Sequence, residues 1–473
     1  MRYDLAITGS GGAAFAAAIT ARDAGASVVM IERGTVGGTC VNTGCVPSKA
    51  LLAAAAARHD AASQHFPGIT TQAGPVDMAA LAGGNDDLVA AMRTGKYVDL
   101  AADYGWEIIA GTARFAGTAD APVLQVRLND GGTATIKAGH YLVATGAAPW
   151  IPPIIGFADA GYLTSTTAME LTELPESMLV IGGNAVGLEL AQLFARLGVT
   201  VTIAEALDRL APFDEPGVSA AIEDVFDDEG IGILTAAAVM SVRAGTSGRS
   251  VIIKTAGGEE RELAYGQILA AAGRRPVTAG LNLDAVGVKT GGHGEILADE
   301  YQRTANPRIW AAGDVTGGPQ FVYTAAAQGS RAAANALHNA GRTLDYAALP
   351  RVTFTSPAIA SAGLTEAELL RTGVACDCRV LPLSAVPRAV VGRDIRGVIK
   401  LVAEAGTGRI RGVHAVADGA GEMITAASYA IRAQMTVTDL AEAWAPYMTM
   451  SEGLRLAAQA FSRDVSRLSC CAA

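Results

Sequence analysis

The sequence predicts an α/β chain with two nucleotide-binding domains and a C-terminal α+β domain. Three observations predict it. A strand, glycine-rich turn, helix and strand fill the first 32 residues, and a second copy of that unit spans residues 177–205. After residue 349 strand-like runs at 351–354, 397–402 and 410–416 come before helices over 421–461. At 473 residues the chain is too long for one core and suits about three domains of ~150 residues.

The first unit reads as a strand at 4–8, a tight turn at 9–12, a helix at 13–24 and a strand at 27–32. Its turn, Gly9-Ser10-Gly11-Gly12-Ala13-Ala14, is a Gly-x-Gly-x-x-Ala. In such a Rossmann-like turn Gly9 allows the bend, Gly11 admits a pyrophosphate to the backbone, and Ala14 lets helix and strand pack closely. The N–H groups at the head of the helix then face the phosphates. Glu32 closes the second strand, where an acid grips the ribose hydroxyls.

The second unit reads as a strand at 177–181, a turn at 182–184, a helix at 185–197 and a strand at 199–205. Gly182-Gly183-Asn184-Ala185-Val186-Gly187 keeps the first and last glycines but has Asn184 in the middle. The backbone approach is therefore expected to be reshaped, although Asn tolerates unusual backbone angles. Glu205 stands at the ribose position, which favours NADH and repels a 2′-phosphate. No Arg follows it directly, and Arg209 is the nearest. Two such units imply two dinucleotides.

Pro149-Trp150-Ile151-Pro152-Pro153 reads as a linker. The expected division is 1–150 for the first domain, 151–275 for the second, 276–349 returning to the first, and 350–473 for the third.

Half of the residues are hydrophobic, with much of that from Ala and Gly and only 5% aromatic, which suits packed α/β layers. No strongly apolar run of about 18 residues occurs, so no membrane span is expected. The alanine-rich residues 51–57 are too few and are closed by Arg58-His59-Asp60. A net charge of −10 argues against a nucleic-acid surface. No signal-peptide pattern opens the chain, and the fold is expected to start at once. Six cysteines without such a signal point to thiol chemistry in a reducing compartment, with the cytoplasm as the expected location.

The most specific segment is Gly37-Gly38-Thr39-Cys40-Val41-Asn42-Thr43-Gly44-Cys45-Val46-Pro47-Ser48-Lys49. Two cysteines four residues apart, just before a helix, fit a zinc site or plain buried thiols, but neither second ligand pairs nor nearby histidines accompany them. A dithiol at a helix head is expected to ionise readily, as thiol exchange and soft-metal binding require.

This segment resembles the redox-active disulfide of the pyridine nucleotide-disulfide oxidoreductases, the family of lipoamide dehydrogenase and glutathione reductase. The resemblance extends over essentially the whole chain. Ala144-Thr145-Gly146 is similar to the family's strand end between its nucleotide domains, and Ala311-Ala312-Gly313-Asp314 to its second flavin motif. The resemblance implies FAD in the first domain, NAD(P)H in the second, and a homodimer held by the third. It makes Cys45 the thiolate against the flavin, Cys40 the interchange thiol, and Lys49 and Glu189 an ion pair where hydride arrives. Asp314 would hold the ribityl chain. Gly12, Gly38, Thr39, Ala113, Thr145, Gly146, Gly273 and Val322 would line the cofactor.

In disulfide-reducing members a His-Pro-Thr-x-Ser-Glu segment supplies a His–Glu acid/base pair. Here the matching stretch is Tyr447-Met448-Thr449-Met450-Ser451-Glu452, so Glu452 survives and Tyr447 replaces the histidine. A tyrosine, with a pKa of about 10, is poorly suited to protonating a leaving thiolate near neutral pH. The chain ends Leu468-Ser469-Cys470-Cys471-Ala472-Ala473, and paired terminal thiols suit a soft metal ion. These features resemble the mercury-reducing branch of the family, as do Gln320-Phe321-Val322-Tyr323 and Thr449-Met450-Ser451-Glu452-Gly453-Leu454. Its members often carry a further N-terminal metal-binding domain, and this chain begins at the flavin domain.

The branch implies that Cys470 and Cys471 take Hg(II) from small thiols and pass it to Cys40 and Cys45, with Tyr323 and Tyr447 lining the inner site. A lipoamide dehydrogenase-like or other disulfide reductase is one competing expectation. A flavoprotein that binds mercury without turning it over is another. Cys376 and Cys378, a Cys-x-Cys before a strand-like run, are expected to be structural.

Overall fold

The computed structural model describes residues 2–64, 66–245 and 248–467. They fall into two compact units. The first gathers the residues up to Ala50 with Ala79–Ile151 and Gly273–Leu344; the second gathers Leu51–Met78, Pro152–Ala272 and the described residues from Asp345 onward.

The first unit is built on a parallel sheet ordered Glu107–Gly117, Val28–Glu32, Arg2–Thr8, Thr133–Val143 and Ile309–Ala311. The two long strands Glu107–Gly117 and Thr133–Val143, 11 residues each, also pair antiparallel with Pro122–Leu128. Helix Gly12–Asp23 lies on the sheet through Ala14, Ala17, Ala18 and Ala21, all fully buried. Their small side chains allow close helix–sheet approach, which explains the alanine content.

The second unit holds a parallel sheet ordered Gly232–Leu234, Thr200–Ala204, Ser177–Ile181, Gln267–Ala270 and Leu163–Thr164. Helix Ala185–Leu197 buries Leu188, Leu190, Leu193 and Phe194. Residues from Pro350 form an antiparallel sheet ordered Pro350–Thr353, Ala358–Gly363, Ile410–Ala417, Val398–Glu404 and Cys376–Pro382. Helices Ala420–Arg432 and Glu452–Gln459 cover its core, centred on Ile399, Leu401, Val413, Met423 and Leu454. The architecture is thus α/β with two Rossmann-like sheets and a C-terminal α+β sheet.

The helices expected over 421–461 are three, Ala420–Arg432, Val437–Glu442 and Glu452–Gln459, separated where Gln434 turns left-handed at φ 56° and Pro446 interrupts the chain. Two local expectations need correction. Cys376 and Cys378 lie inside the edge strand Cys376–Pro382, not before it. Leu51–Met78 groups with the second unit, where Arg58 Nη1 donates to the Arg196 carbonyl at 2.6 Å. Among the described residues no helix is long and apolar enough to cross a membrane.

Candidate functional site

The first glycine turn is shaped from two sides. Gly11 precedes helix Gly12–Asp23 without a side-chain cap, which leaves the first-turn N–H groups for a ligand. Gly38, with φ +66°, meets it from the next loop. A Cβ on Gly38 would stand 2.5 Å from the Gly11 Cα, so only glycine fits. Ser10 joins the parts: its hydroxyl donates to Glu32 Oε2 at 2.6 Å and accepts from the Gly37 N–H at 3.1 Å. Glu32 Oε1 accepts from the Gly34 N–H at 2.7 Å. Bare amides, an uncapped helix head and an anchored acid fit the pyrophosphate and ribose of FAD.

The same loop carries the cysteines. Cys40 lies in the short helix Gly38–Thr43, and Cys45 begins helix Cys45–Ala62, with Gly44 between them. Lys49 follows Cys45 by one helical turn. Asn42 braces the loop, donating to the carbonyls of Val36 at 3.0 Å and Gly38 at 2.9 Å and accepting from Arg93 at 3.0 Å. The two thiols are in hydrogen-bond contact, Cys40 half-buried and Cys45 exposed. The expected easy ionisation does not hold for Cys40. Its thiol is pushed well up, first by the Cys45 hydrogen bond, then by burial and the Cys45 charge, with Lys49 opposing. Two sulfurs in contact resist carrying two charges, so loss of the first proton makes the second harder to remove.

Sequence reasoning missed Tyr97, which sits in the π turn Thr94–Val98 and packs edge-on against Phe15 at 4.8 Å. Burial, and then the charges of Cys40 and Cys45, raise its phenol. A π turn is itself a common mark of a functional site, but its signal is absent from local sequence. Arg274 was also missed. It donates to the Ala147 carbonyl, and its charge opposes the burial that raises the Asp314 carboxyl. Strand Arg274–Pro276 pairs with Ala147–Pro149, Thr145 Oγ1 donates to the Val277 carbonyl at 2.7 Å, and the Val277 N–H donates to Gly146. Thr145, Gly146 and Gly273 therefore gather around this crossing. Val322 covers Gly12, where a Cβ would meet Val322 Cγ2 at 3.1 Å. Tyr323 is next to it, stacked on Phe321 at 5.3 Å. Thr39 sits in the cysteine loop, and Ala113 is buried within the sheet.

In the second unit Gly187 packs against the turn so tightly that a Cβ would lie 1.9 Å from the Gly182 carbonyl oxygen. Asn184 has φ −110°, extended backbone open to any residue, so the exchange from glycine puts no strain on the chain path. Its side chain is exposed and makes no cap bond, which again leaves the helix head open. Glu205 is buried, with Oε2 accepting from the Gly183 N–H at 2.6 Å and Oε1 from the Leu207 N–H at 2.8 Å. Glu189, buried on the following helix, accepts from the Phe354 N–H at 2.9 Å.

Further along the same unit, Tyr447 is 47% exposed. Glu452 is buried and accepts from the Met448 N–H at 3.3 Å, pinning a turn in which Met448 has φ 64°. Cys470 and Cys471 lie outside the described residues.

The chain matches the family model "Pyridine nucleotide-disulphide oxidoreductase" over residues 3–329 and its dimerisation domain over residues 349–458. Similar proteins include a mercuric reductase of Streptomyces lividans, 59% identical over 99% of this chain and 98% of that protein. A mercuric reductase of Staphylococcus aureus is 46% identical over 99% of this chain and 84% of its own length. Among solved structures, the HOCl-induced flavoprotein disulfide reductase RclA of Escherichia coli superposes with a TM-score of 0.85 at 29% identity, covering 97% of this chain and 99% of that one. LpdA of Mycobacterium tuberculosis reaches 0.86 at 27% identity, covering 98% and 100%.

Proposed function

The chain belongs to the pyridine nucleotide-disulphide oxidoreductases, and from that premise we propose that it reduces Hg(II) to Hg(0) with electrons from NAD(P)H. The observation that carries the reading is the Cys40–Cys45 pair, two touching sulfurs in a chain whose acid/base histidine position holds Tyr447. Mercury bound by two thiolates requires electrons rather than a proton at its leaving group. The relatives named mercuric reductase, similar along nearly the whole chain, support the same substrate.

The residues divide the work. Gly9, Gly11, Gly12, Ala14 and Glu32 hold the FAD pyrophosphate and ribose, Asp314 the ribityl chain, and Gly38, Thr39, Ala113, Thr145, Gly146, Gly273 and Val322 line the rest. FAD, when bound, supplies a two-electron carrier between nicotinamide and dithiol. Gly182, Gly187 and Glu205 hold the nicotinamide dinucleotide. The Glu205 carboxylate, fixed by two backbone N–H groups, favours NADH because a 2′-phosphate would add negative charge beside it. Lys49, one turn after Cys45, and Glu189, on the helix of the second glycine turn, would supply the charged groups used where hydride arrives.

Hg(II) arrives on small thiols, is taken by Cys470 and Cys471, and passes by stepwise thiolate exchange to Cys40 and Cys45. Tyr323 and Tyr447 would assist that transfer, and Glu452 sets the turn bearing Tyr447. The overall balance is NADH plus Hg(SR)2 plus a proton giving NAD+, Hg(0) and two RSH. The dimerisation domain supports a homodimer; in this reading one subunit's tail serves the other and the enzyme works in the cytoplasm.

The test is NAD(P)H oxidation by the purified flavoprotein, with Hg(II) in excess small thiol, oxidised lipoamide or oxidised glutathione. Oxidation is expected with mercury alone. Turnover of an organic disulfide with none of mercury would replace this reading with that of a disulfide reductase. Binding of mercury without oxidation would leave a metal-holding flavoprotein.

A further inference from the structure

Among the described residues strand Cys376–Pro382 is an edge strand, paired with Val398–Glu404 alone. Cys376 and Cys378 are two residues apart on it and so share one face. Glu366, at the start of helix Glu366–Arg371, reaches that face. The Cys376 thiol donates to Glu366 Oε1 at 3.8 Å, while Glu366 Oε2 is held by Lys400 Nζ at 2.6 Å. Lys400 also binds Glu215 Oε2 at 2.8 Å, and Glu215 Oε1 accepts from the Glu366 backbone N–H at 2.5 Å. The carboxylate is thus oriented from behind by a lysine and a second acid.

The ligand atoms of Glu366, Cys376 and Cys378 all lie within 4.8 Å of one another, and all three residues are partly buried. Metal–sulfur bonds of about 2.3 Å put two sulfurs about 3.8 Å apart at a tetrahedral angle and about 4.6 Å apart in a line, so both geometries fit the cluster. Two sulfurs and one oxygen suit a soft or borderline d10 ion; Ca(II) and Mg(II) require oxygen shells. Burial, the Cys376 hydrogen bond and the Glu366 charge push the Cys378 thiol up to about 12. Ionised, the cluster would hold two thiolates and two carboxylates against the single Lys400 ammonium, an imbalance that a divalent cation removes.

We propose that Glu366, Cys376 and Cys378 form a metal site for one thiophilic d10 cation, built from none of the residues assigned to catalysis. The ion replaces the thiol protons and draws Glu366 Oε1 from the Cys376 thiol to itself, with its fourth position open to water or a small thiol. It ties the edge strand to the helix Glu366–Arg371. Zn(II) acquired on folding and Hg(II) acquired on exposure share this chemistry. Each displaced proton makes affinity climb about tenfold per pH unit below the thiol range.

The test uses holoenzyme in which Cys40, Cys45, Cys470 and Cys471 are changed to serine, leaving two of the six cysteines. Retained flavin absorbance and an unchanged melting temperature establish that it is folded. Titration with Cd(II), read by thiolate-to-metal charge-transfer absorption, is expected to saturate at one ion per subunit. Adding Cys378→Ser abolishes the band, and Glu366→Gln weakens binding roughly tenfold or more. If the four-serine protein does not fold, the wild-type holoenzyme is compared with C376S/C378S by elemental analysis, and the variant is expected to hold one cadmium fewer. No charge-transfer band, binding that survives Cys378→Ser, or equal cadmium in the latter pair overturns the site. Zinc present as purified identifies the ion acquired on folding, and a site empty as purified that fills with Cd(II) identifies capture on exposure. Failure here leaves the mercury-reduction reading intact, because its cysteines are absent from the titrated protein.

Discussion

The two glycine turns are written in nearly the same residues, yet they are finished in opposite ways. The first is closed from outside, by Gly38 of the cysteine loop and by Ser10, which bridges Gly37 and Glu32. The second is closed by the residues that follow its second strand: Glu205 bonds to the Gly183 and Leu207 amides and the Ala211 N–H donates to the Gly183 carbonyl at 2.8 Å, while Asn184 is left exposed. A turn sealed by the loop that bears the dithiol suits a flavin that stays and must lie against the sulfurs. A turn with an exposed residue at its helix head suits a nicotinamide that enters and leaves at each cycle. The lesson is that the motif specifies a phosphate site, and the surrounding contacts decide residence.

Paired glycine substitutions test this difference most severely. Gly38→Val forces a side chain into left-handed backbone, at a cost of about 1–2 kcal/mol before the clash with Gly11 is counted. The purified protein is expected to lack FAD, read as lost visible absorbance per subunit. Gly187→Val, whose Cβ would meet the Gly182 carbonyl at 1.9 Å, should keep its FAD and lose at least a hundredfold in the rate of flavin reduction by NADH. Full FAD in the first variant, or lost FAD in the second, would break the assignment of one dinucleotide to each turn.

The acids give a smaller effect. Glu205→Ala should shift the NADH-to-NADPH ratio of kcat/KM by roughly tenfold, equivalent to about 1.4 kcal/mol. Glu32→Ala should weaken FAD retention and leave that ratio alone. An unaltered ratio in the first variant would remove the basis for an NADH preference.

Asn184→Gly should do least, changing KM for NADH by no more than about threefold, because φ −110° demands no glycine. A tenfold fall in KM would show that the carboxamide obstructs the pyrophosphate.

What the sequence made legible follows the range of the interactions. The two units, the cysteine loop and Asp314 are written in contiguous residues with fixed spacing, so local pattern reveals them. Tyr97 and Arg274 act on Cys40, Cys45 and Asp314 across long stretches of chain, and no local pattern ties them together. Cys376 and Cys378 read as bland thiols until folding brings Glu366 and Lys400 beside them. At Asn184 the sequence points to an altered approach for the pyrophosphate, and the unstrained backbone at φ −110° assigns any such effect to the exposed side chain.

The most direct measurement is the stoichiometry of elemental mercury released per NADH oxidised, in the absence of oxygen, for the wild-type enzyme and for Cys45→Ser. One atom of Hg(0) per NADH in the wild type and none above background in the variant is the predicted result. Mercury release that persists without Cys45, or NADH oxidation that yields no Hg(0), would contradict the central claim that the electrons reach the metal through this sulfur pair.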